Sequence, residues 1–341
     1  MATVTGGAGF IGTNLVRRLL DGGQHDVTVV DDLSRAGAED NLRGFAAHPR
    51  LRFVRADVAD AAAMRSAIDG ARLVYHLAGQ VAVTTSLADP RRDFESNALG
   101  TLNVLEAARA VGDDPVVLYA STNKVYGALG GHGLVERPTR YDDPSRPHGV
   151  DEHEPLDFHS PYGCSKGAGD QYVRDYHRVF GLRTIVLRQS CIVGPRQFGV
   201  EDQGWAAWFV LAALTDRPIT IFGDGKQVRD VLDVDDLLDA YDAAIVNVDR
   251  TAGEVFNVGG GPGNTISIWA EFGPLLESLI GREVPIDRRA ARAGDQRWYV
   301  SDIGKLSTMT GWRPTVGVHA AVDRVHGWIG QRLTAGGGPS G

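Results

Sequence analysis

Two side chains capable of acid–base chemistry, Tyr162 and Lys166, stand four residues apart in a stretch with helical spacing at 162–180. Residues four positions apart share one face of a helix, so we expect the phenol and the ammonium group side by side. A free phenol has a pKa of about 10, and a neighbouring cation favours its phenolate form. A phenolate can act as the general base that removes the proton of an alcohol. The pair therefore predicts proton transfer to or from a hydroxyl group.

A second polar cluster, "STNKVYG" at 121–127, follows the apolar run "PVVLY". Hydroxyl, amide and ammonium groups are costly at the end of a buried strand, so their presence points to a site. Thr122 places a hydroxyl at the end of the fifth predicted strand, and Asn123 and Lys124 follow it. We expect Lys124 either to face a ligand or to form a structural ion pair at the base of the loop.

The run "TGGAGFIG" places Gly6, Gly9 and Gly12 between a predicted strand and a predicted helix. This spacing permits a tight turn, lets the backbone approach a pyrophosphate at the helix N-terminus, and allows close packing of helix on strand. Asp31 ends the next predicted strand, where a carboxylate accepts from a ribose 2′-hydroxyl and repels a 2′-phosphate. The pattern predicts a dinucleotide site that prefers NAD to NADP, a preference that Arg35 nearby weakens without cancelling.

Further cofactor contacts are predicted after the third and fourth strands, on the same edge of the sheet. Asp57 and Val58 stand where an adenine edge would lie, and the small residues from Leu77 to Gly79 would admit the cofactor. The complete predicted NAD-binding set is Gly6, Gly9, Phe10, Ile11, Gly12, Asp31, Asp32, Ser34, Arg35, Asp57, Val58, Leu77, Ala78, Gly79, Gln80, Asn97 and Lys166.

Short apolar runs alternate with helical patterns through the first half of the chain, which predicts an α/β fold with a doubly wound parallel sheet. We expect a Rossmann domain over 1–188, with a return segment near 230–260, and a smaller α/β substrate lobe over 189–330. Residues 331–341 are expected to form a flexible tail. The long segment 128–160 is interpreted as a lid or binding element, with a floppy surface insertion as the alternative.

Composition excludes several classes of partner. The net charge of the 341 residues is −8, which argues against nucleic acid and anionic membrane as partners. We find no apolar run long enough for a membrane span and no signal-peptide pattern near Met1, and the chain has two cysteines. We therefore expect a cytoplasmic protein. His153 and His159 lack partners at metal-ligand spacing, so no metal is predicted.

From "TGGAGFIG" to "GWRP" the chain resembles the extended short-chain dehydrogenase/reductase family, whose members modify nucleotide sugars. The resemblance implies NAD as cofactor, Tyr162 as base, Lys166 as the group that lowers the tyrosine pKa and bonds the cofactor ribose, and Thr122 as a proton relay. The runs "HLAGQVAVTTS", "STNKVYG", "LDFHSPYGCSKG" and "RQFGVEDQGW" are similar to the CDP-paratose 2-epimerase (CDP-tyvelose epimerase) branch.

The resemblance also separates two reactions. In the 4,6-dehydratases of the family, an acid pair follows the threonine and assists loss of water, whereas this chain has Asn123 and Lys124 there. An amide cannot exchange a proton as a carboxyl does, and lysine reverses the charge. Epimerisation is therefore predicted: a sugar hydroxyl is oxidised to a ketone, the sugar is reoriented, and the same NADH reduces the other face.

Arginines suit the diphosphate of such a substrate, and Arg229 and Arg292 match family positions that hold it. Phe222 is expected to stack on a pyrimidine and Asp295 to accept from the nucleoside ribose. Cys191 replaces an asparagine that 4-epimerases commonly carry. The predicted substrate-binding set is Thr84, Thr122, Asn123, Lys124, Tyr162, Cys191, Arg196, Gln203, Phe222, Arg229, Arg292 and Asp295.

Three other interpretations stay open from the sequence. The first is a UDP-glucuronate or UDP-glucose 4-epimerase, because neither the base (CDP or UDP), the sugar nor the inverted carbon is fixed by these residues. The second is a non-catalytic NAD-binding protein, against which the complete set of Tyr162, Lys166 and Thr122 argues. The third is a reductase that consumes NAD(P)H. The resemblance also implies a homodimer through the helices at about 95–111 and 162–180.

Overall fold

The structure is a computed structural model and describes residues 1–112, 114–129, 133–292 and 295–335. In chain order its strands are β1 (Ala2–Thr5), β2 (Val27–Asp31), β3 (Leu51–Arg55), β4 (Leu73–His76), β5 (Val116–Thr122), β6 (Val135–Glu136), β7 (Tyr141–Asp142), β8 (Arg183–Gln189), β9 (Cys191–Val193), β10 (Ile219–Phe222), β11 (Val228–Asp233), β12 (Val255–Val258), β13 (Thr265–Ser267), β14 (Ile286–Arg289) and β15 (Trp298–Tyr299).

The helices, in the same part of the chain, are α1 (Phe10–Asp21), α2 (Ala38–Arg43), α3 (Ala61–Ile68), α4 (Val83–Ala88), α5 (Pro90–Phe94), α6 (Gly100–Val111), α7 (Ser160–Phe180), α8 (Trp205–Leu214), α9 (Val234–Val246), α10 (Val248–Thr251), α11 (Phe272–Ile280), α12 (Gly304–Thr310) and α13 (Val318–Thr334). A π-helical turn covers Glu95–Leu99, and a 3₁₀ turn covers Asn123–Tyr126.

A seven-stranded parallel sheet runs in the order β12-β8-β5-β4-β1-β2-β3. β1 has only four residues but is central, and all four are buried, because it is covered on both faces. The predicted α/β fold with a doubly wound sheet is confirmed. The chain order reverses between β1 and β4, and ligands bind at such a reversal beyond the carboxyl ends of the strands.

The second lobe contains small sheets packed against α8, α11 and α13. β10 pairs with β14, while β11 pairs with β9, β13 and β15. The apolar core between these elements includes Phe209, Ile221, Phe272 and Val322. This lobe therefore has its own core, separate from the core under the large sheet.

After β11 the chain leaves the second lobe, returns to the large sheet through α9 and β12, and then re-enters the second lobe at β13. β12 adds to β8 at the edge of that sheet. α9 lies beside α1, where Arg18 Nη1 contacts the carboxylates of Asp239 and Asp242 at 2.6 and 3.0 Å. Tyr241 also stacks on Tyr75, with ring centroids 6.2 Å apart. The carboxyl end of β11 and the large sheet are consequently held in a fixed relation.

The segment after β5 is packed against the second lobe where the structure describes it. Tyr141 N donates to Lys226 O at 3.1 Å, and Val150 N donates to Val300 O at 2.8 Å. Tyr141 and Val150 also belong to a buried apolar cluster with Tyr299. The alternative of a flexible surface insertion is therefore wrong for the described part of 128–160. Residues 130–132 lie outside the described residues.

The end of the chain differs from expectation in one respect. Helix α13 continues to Thr334, so residues 331–334 are helical, although the flexible tail was predicted to include them. The apolar residues of α13, such as Ile329, bury one side of the helix against the second lobe and extend it. Ala335 follows the helix, and residues 336–341 of the predicted tail lie outside the described residues. Among the described helices, none is both long and apolar enough to cross a membrane.

Candidate active site

The glycine-rich turn joins β1 to α1 and leaves no room for side chains. Gly6 has a φ of +70°, and a Cβ there would lie 2.7 Å from Ala78 N; a Cβ on Gly12 would lie 2.1 Å from Gly6 O. Gly9 precedes α1 and provides no side-chain cap, which leaves N–H groups of the first turn free to bind an anion. The turn therefore fits the pyrophosphate of a dinucleotide.

Asp31 ends β2 beside this turn. Its Oδ2 accepts from Ala8 N at 3.0 Å and its Oδ1 from Leu33 N at 2.9 Å, which fixes the carboxylate in place. Burial raises the pKa of Asp31, against the effect of these two backbone N–H groups. Each oxygen keeps a second acceptor site, so the carboxylate can still receive a ribose hydroxyl.

The sequence did not single out Arg92, which contacts two of the predicted cofactor residues. Its Nη1 lies 2.6 Å from Asp57 Oδ2 and its Nη2 lies 3.4 Å from Asp32 Oδ2. Ser34 Oγ also donates to Asp32 Oδ1 at 2.6 Å. Arg92 lies on the short helix α5 beside another arginine, so no local spacing distinguished it from a surface charge.

Asn97 lies in the π-helical turn, a feature that often marks functional sites. Its Nδ2 donates to Asp93 Oδ1 at 3.2 Å and to Ser165 Oγ at 3.0 Å. Within the described residues, its buried Oδ1 has no hydrogen-bond partner. A Cβ on Gly79 would lie 2.5 Å from this oxygen and 3.9 Å from Lys166 Nζ. A buried acceptor beside an ammonium group fits a ligand hydroxyl, as a nucleotide ribose provides.

The other predicted cofactor residues are placed as follows. Phe10 and Ile11 open α1, and Leu77 and Ala78 lie against Gly6. Val58 is buried beneath Gly100. The side chain of Gln80 turns back on its own loop, since its Nε2 donates to Ala82 O at 2.7 Å. Arg35 is exposed and reaches across to Gln203.

Tyr162 and Lys166 project from the first turns of α7 and are 7% and 5% exposed. A hydrogen bond from Thr122 lowers the pKa of Tyr162, but burial raises that pKa by more. Lys166 Nζ donates to Ala120 O at 2.6 Å and lies 4.3 Å from the centre of the Tyr119 ring. Burial lowers the pKa of Lys166 to about 7.

The predicted lowering of the Tyr162 pKa by Lys166 is therefore not present among these side chains. The ammonium group of Lys166 is directed at β5, and the phenol lies in a buried position that disfavours its charge. Further positive charge at the site would favour a phenolate at Tyr162, and an oxidised nicotinamide ring would supply such a charge. Thr122 lies close enough to Tyr162 to affect its pKa. The role of Thr122 as a proton relay stays a prediction.

A buried ion pair supports the catalytic helix from behind. Asp170, one turn after Lys166, accepts from Arg188 Nε at 2.9 Å and from Arg188 Nη2 at 2.8 Å. Ser121 Oγ donates to the same carboxylate at 2.7 Å. These contacts fasten α7 to β5 and β8, and they thus fix the relation between Thr122 and Tyr162.

Thr122 also begins the 3₁₀ turn that carries Asn123 and Lys124, and its Oγ1 accepts from Lys124 N at 3.3 Å. Asn123 is buried, and its Oδ1 accepts from Thr122 Oγ1 at 3.4 Å. Lys124 Nζ donates to Gln296 Oε1 at 3.3 Å. Burial and the nearby Arg229 lower the pKa of Lys124 to about 8. Lys124 therefore meets an amide from the second lobe rather than a carboxylate.

Cys191 lies in the same region, at the start of β9. Its Sγ accepts from Trp205 Nε1 at 3.3 Å. Burial raises the pKa of the thiol, while Arg229 and Lys124 oppose the rise. The structure thus places Cys191, Arg229 and Lys124 near one another, although they come from different elements. Their binding of substrate stays a prediction.

The predicted phosphate-binding arginines already have acidic partners. Arg229 Nη2 lies 2.8 Å from Asp295 Oδ1, and Arg292 Nη2 lies 3.0 Å from Asp202 Oδ1. Asp202 also accepts from Thr84 Oγ1 at 2.9 Å. The guanidinium carbon of Arg292 lies 3.8 Å from the centre of the Phe222 ring and covers one face of it. A base could stack on that face only after Arg292 has moved.

Two predicted substrate residues lie elsewhere. Arg196 has a φ of +71°, and its guanidinium group lies beside Gly44 at the end of α2 rather than near Lys124. The structure thus places the Arg196 side chain beside α2, apart from the other predicted substrate residues, and its contact with substrate stays a prediction. Gln203 accepts from Arg35 and so contacts the cofactor side of the cleft.

A sequence model described as the NAD dependent epimerase/dehydratase family matches residues 2–259. The chain belongs to this family. It is 43% identical over 338 residues to CDP-paratose 2-epimerase of Salmonella typhi, covering 95% of this chain and 98% of that protein. Its family, its fold and its nature as an NAD-dependent enzyme of nucleotide-sugar chemistry are thus confirmed.

Two solved structures are similar over nearly all of the chain. One is DesIV, a dTDP-glucose 4,6-dehydratase from Streptomyces venezuelae, as a double mutant with NAD and DAU bound: TM-score 0.85, 30% identity, and 98% of each chain covered. The other is UDP-glucuronic acid 4-epimerase from Bacillus cereus with UDP-glucuronic acid and NAD: TM-score 0.83, 28% identity, and 97% of this chain and 99% of that chain covered.

Proposed function

We propose that the protein is an NAD-dependent nucleotide-sugar epimerase that inverts a hydroxyl-bearing carbon, C2 of a CDP-linked deoxyhexose of the paratose and tyvelose type. The observation that carries the proposal is Lys124, partly buried after Thr122, where dehydratases of the family hold an acid pair. An ammonium group there can bind oxygen but cannot assist loss of water as a carboxyl pair does. The relation to CDP-paratose 2-epimerase supports the base and the carbon.

Two residues would perform the proton transfer, and a third would hold the cofactor. Tyr162 removes the proton of the sugar hydroxyl, Thr122 relays it, and Lys166 binds the cofactor ribose beside Asn97 and Gly79. Bound NAD supplies a reversible hydride store, so the overall reaction involves no net redox change. Reduction from the opposite face requires the proton to return from Tyr162 to the sugar oxygen. Burial favours the neutral phenol, so it favours removal of the proton from the sugar hydroxyl and opposes the return.

The second lobe would hold the nucleoside diphosphate. Arg229 and Arg292 present planar guanidinium groups that suit phosphate oxygens, and both can exchange a carboxylate partner for phosphate. Asp295 is then free to accept from the nucleoside ribose. Phe222 offers a ring for the pyrimidine once Arg292 engages phosphate.

A second candidate is inversion at C4 of a UDP-linked sugar. It is favoured by the similarity to the structure of UDP-glucuronic acid 4-epimerase from Bacillus cereus. The same Tyr162 and Thr122 would serve either carbon, because the bound orientation of the sugar decides which hydroxyl meets the phenol. A non-catalytic binder has no use for this arrangement, and the family assignment argues against it.

The test is to incubate the purified protein with CDP- and UDP-hexoses and to identify the inverted carbon by NMR. We expect CDP-linked paratose or tyvelose to be inverted at C2 without added NADH. In D₂O the inverted carbon should keep its original hydrogen, because the hydride returns from the cofactor. Deuterium at that carbon, or a 4-keto-6-deoxy product, would overturn the mechanism. Inversion only at C4 of UDP-sugars would establish the second candidate.

We further propose that the protein is a cytoplasmic homodimer that pairs through α6 and α7. Exposed apolar side chains near these helices support it: Phe94, Val179 and Phe180 are 57%, 61% and 50% exposed. Such patches often mark association surfaces. Light scattering should give twice the chain mass, and Phe180→Glu should shift it toward the mass of one chain. The two free thiols, Cys164 and Cys191, agree with a reducing compartment.

A further inference from the structure

Gln296 connects the two lobes at the sugar side of the cleft, and no sequence pattern singled it out. It lies between β14 and β15 and is 1% exposed. Its Nε2 donates to Gly127 O at 2.6 Å, and its Oε1 accepts from Lys124 Nζ at 3.3 Å. One amide therefore bonds both the 3₁₀ turn after β5 and the residue that takes the place of the dehydratase acid pair.

The orientation of this amide is determined by its surroundings. Gly127 O can only accept, so it must face the NH₂ group of Gln296. The carbonyl oxygen of the amide then faces Lys124, whose ammonium group can only donate. A flipped amide would place oxygen against oxygen and N–H against N–H. Gln296 is thus held in the one orientation that accepts from Lys124.

The contact between Gln296 and Lys124 involves a charged ammonium group, so its surroundings decide how much the contact contributes. The charged and titratable groups that face Lys124 are Arg229, Asp295 and Cys191. Asp295 pairs with Arg229 at 2.8 Å, and within the described ranges no carboxylate forms a salt bridge with Lys124. Lys124 is partly buried. A partly desolvated ammonium group without a carboxylate is costly, and a neutral acceptor offsets only part of that cost. A ligand that brings oxygen atoms would offset more.

We propose that Gln296 is a positioning residue that orients Lys124 toward the oxygen atoms of the sugar. The inference rests on the proposed function and adds to it a second-lobe residue at the site. Gln296 uses one of the three N–H bonds of Lys124 and leaves two for ligand oxygens. It also ties the position of Lys124 to the lobe that binds the nucleotide.

Lysine NMR tests the contact directly, because the chain contains only four lysines: Lys124, Lys166, Lys226 and Lys305. Protein labelled with ¹³C at lysine Cε gives few signals. The signals of the two lysines outside the site are assigned by their loss in Lys226→Arg and Lys305→Arg. An acceptor that bonds the charged form of an amine favours that form. Gln296→Met should therefore lower the pKa of Lys124, and Gln296→Glu, which adds a carboxylate, should raise it. The signals of Lys226 and Lys305 should not change.

Kinetics then separates positioning from a merely structural role. Loss of a hydrogen bond to a charged group commonly costs about 1.5–3 kcal/mol, roughly 10- to 100-fold. Gln296→Met should raise KM for the nucleotide sugar by about tenfold or more and leave the Kd for NAD unchanged. In a Lys124→Met background the same change should alter kcat/KM by less than about twofold, because Gln296 then has no ammonium group to orient. Gln331→Met, an exposed glutamine on α13, is the matched control.

Each outcome decides a different claim. Equal losses from Gln296→Met with and without Lys124 would show that Gln296 is structural, and the inference would be wrong. An unchanged titration of Lys124 in both Gln296 variants would also overturn it, and Gln296→Glu keeps this readout if Gln296→Met does not fold. If the wild-type protein inverts no nucleotide sugar, the proposed function falls instead, while the lysine titrations still report on Gln296 and Lys124.

Discussion

The cofactor side and the substrate side of the cleft are built in different ways. On the cofactor side, Gly6 and Gly12 act through backbone contacts inside one turn, and Asp31 bonds the N–H of Ala8. On the substrate side the contacts join side chains distant in sequence: Lys124 and Gln296 are 172 residues apart, and Arg292 and Asp202 are 90 apart. The first kind of site can be identified in a short sequence, whereas the second exists only after the lobes have packed.

The largest expected effect on turnover comes from Tyr162, which lies between the cofactor side and the substrate side of the cleft. Tyr162→Phe removes the phenolic hydroxyl proposed to act on the sugar but keeps the ring in its buried place. Loss of a general base commonly lowers turnover by about 100- to 10,000-fold. We expect that loss in kcat, with unchanged NAD affinity and melting temperature. Tyr172→Phe, on the exposed side of α7, is the control. Turnover of Tyr162→Phe within a few-fold of wild type would exclude the base role.

Arg229 tests the substrate side alone. Arg229→Met keeps the length of the side chain but removes the guanidinium group that contacts Asp295. Charged hydrogen bonds are worth about 1.5–3 kcal/mol, so KM for the nucleotide sugar should rise by roughly 10- to 100-fold. The Kd for NAD should not change, because Arg229 belongs to the second lobe. If NAD affinity falls in parallel, the two sides are not independent as the comparison claims.

The residues of the cofactor side could be predicted from the sequence more completely than the contacts of the substrate side. The glycine spacing and Asp31 predict the cofactor site, and alternating apolar runs predict the parallel sheet that the structure has, since both are local patterns. Arg92 and Asp202 carry no such pattern, and their partners are set by tertiary packing. Residue type likewise does not predict the backbone φ of +71° at Arg196 or the position of its side chain beside Gly44. The assignment of Arg229 and Asp295 to separate ligand groups likewise missed that they pair with each other.

Gly12 tests the cofactor side alone. Gly12→Ala would place a Cβ 2.1 Å from Gly6 O, and backbone cannot move as a flexible side chain can. Overpacking of this kind costs about 1–3 kcal/mol, and it should weaken NAD binding as well. Calorimetry on NAD and urea unfolding measure the two effects. Gly327→Ala on α13 meets no atom within 4 Å and should stabilise the protein slightly, by about 0.5–1 kcal/mol. Similar outcomes for both variants would contradict the steric argument.

The smallest predicted effect concerns His76, which supports the cofactor side from beneath. Its ring is 1% exposed; Nδ1 lies 2.8 Å from Thr5 Oγ1, and Nε2 lies 3.0 Å from Thr101 Oγ1. The Thr101 hydroxyl donates its proton to Asn97 O, so Nε2 must donate to Thr101. Nδ1 is then the acceptor for the Thr5 hydroxyl. A second proton on the ring would remove that acceptor, and burial also disfavours the charge.

Burial accordingly lowers the pKa of His76 to about 3, below the value of about 6.5 for an unfolded histidine. A depressed pKa means that the unfolded chain binds the proton more readily, so His76 contributes stability above about pH 6.5 that is lost as pH falls toward 3. The loss should reach about 1.4 kcal/mol per pH unit. Urea unfolding between pH 7 and 5 should therefore show a shallower slope for His76→Asn than for wild type. His319→Asn, an exposed histidine on α13, should keep the wild-type slope. Equal slopes for wild type and His76→Asn would mean that the ring accepts a proton in the folded protein. The claim that a neutral His76 accepts a hydrogen bond from Thr5 at the end of β1 would then be wrong.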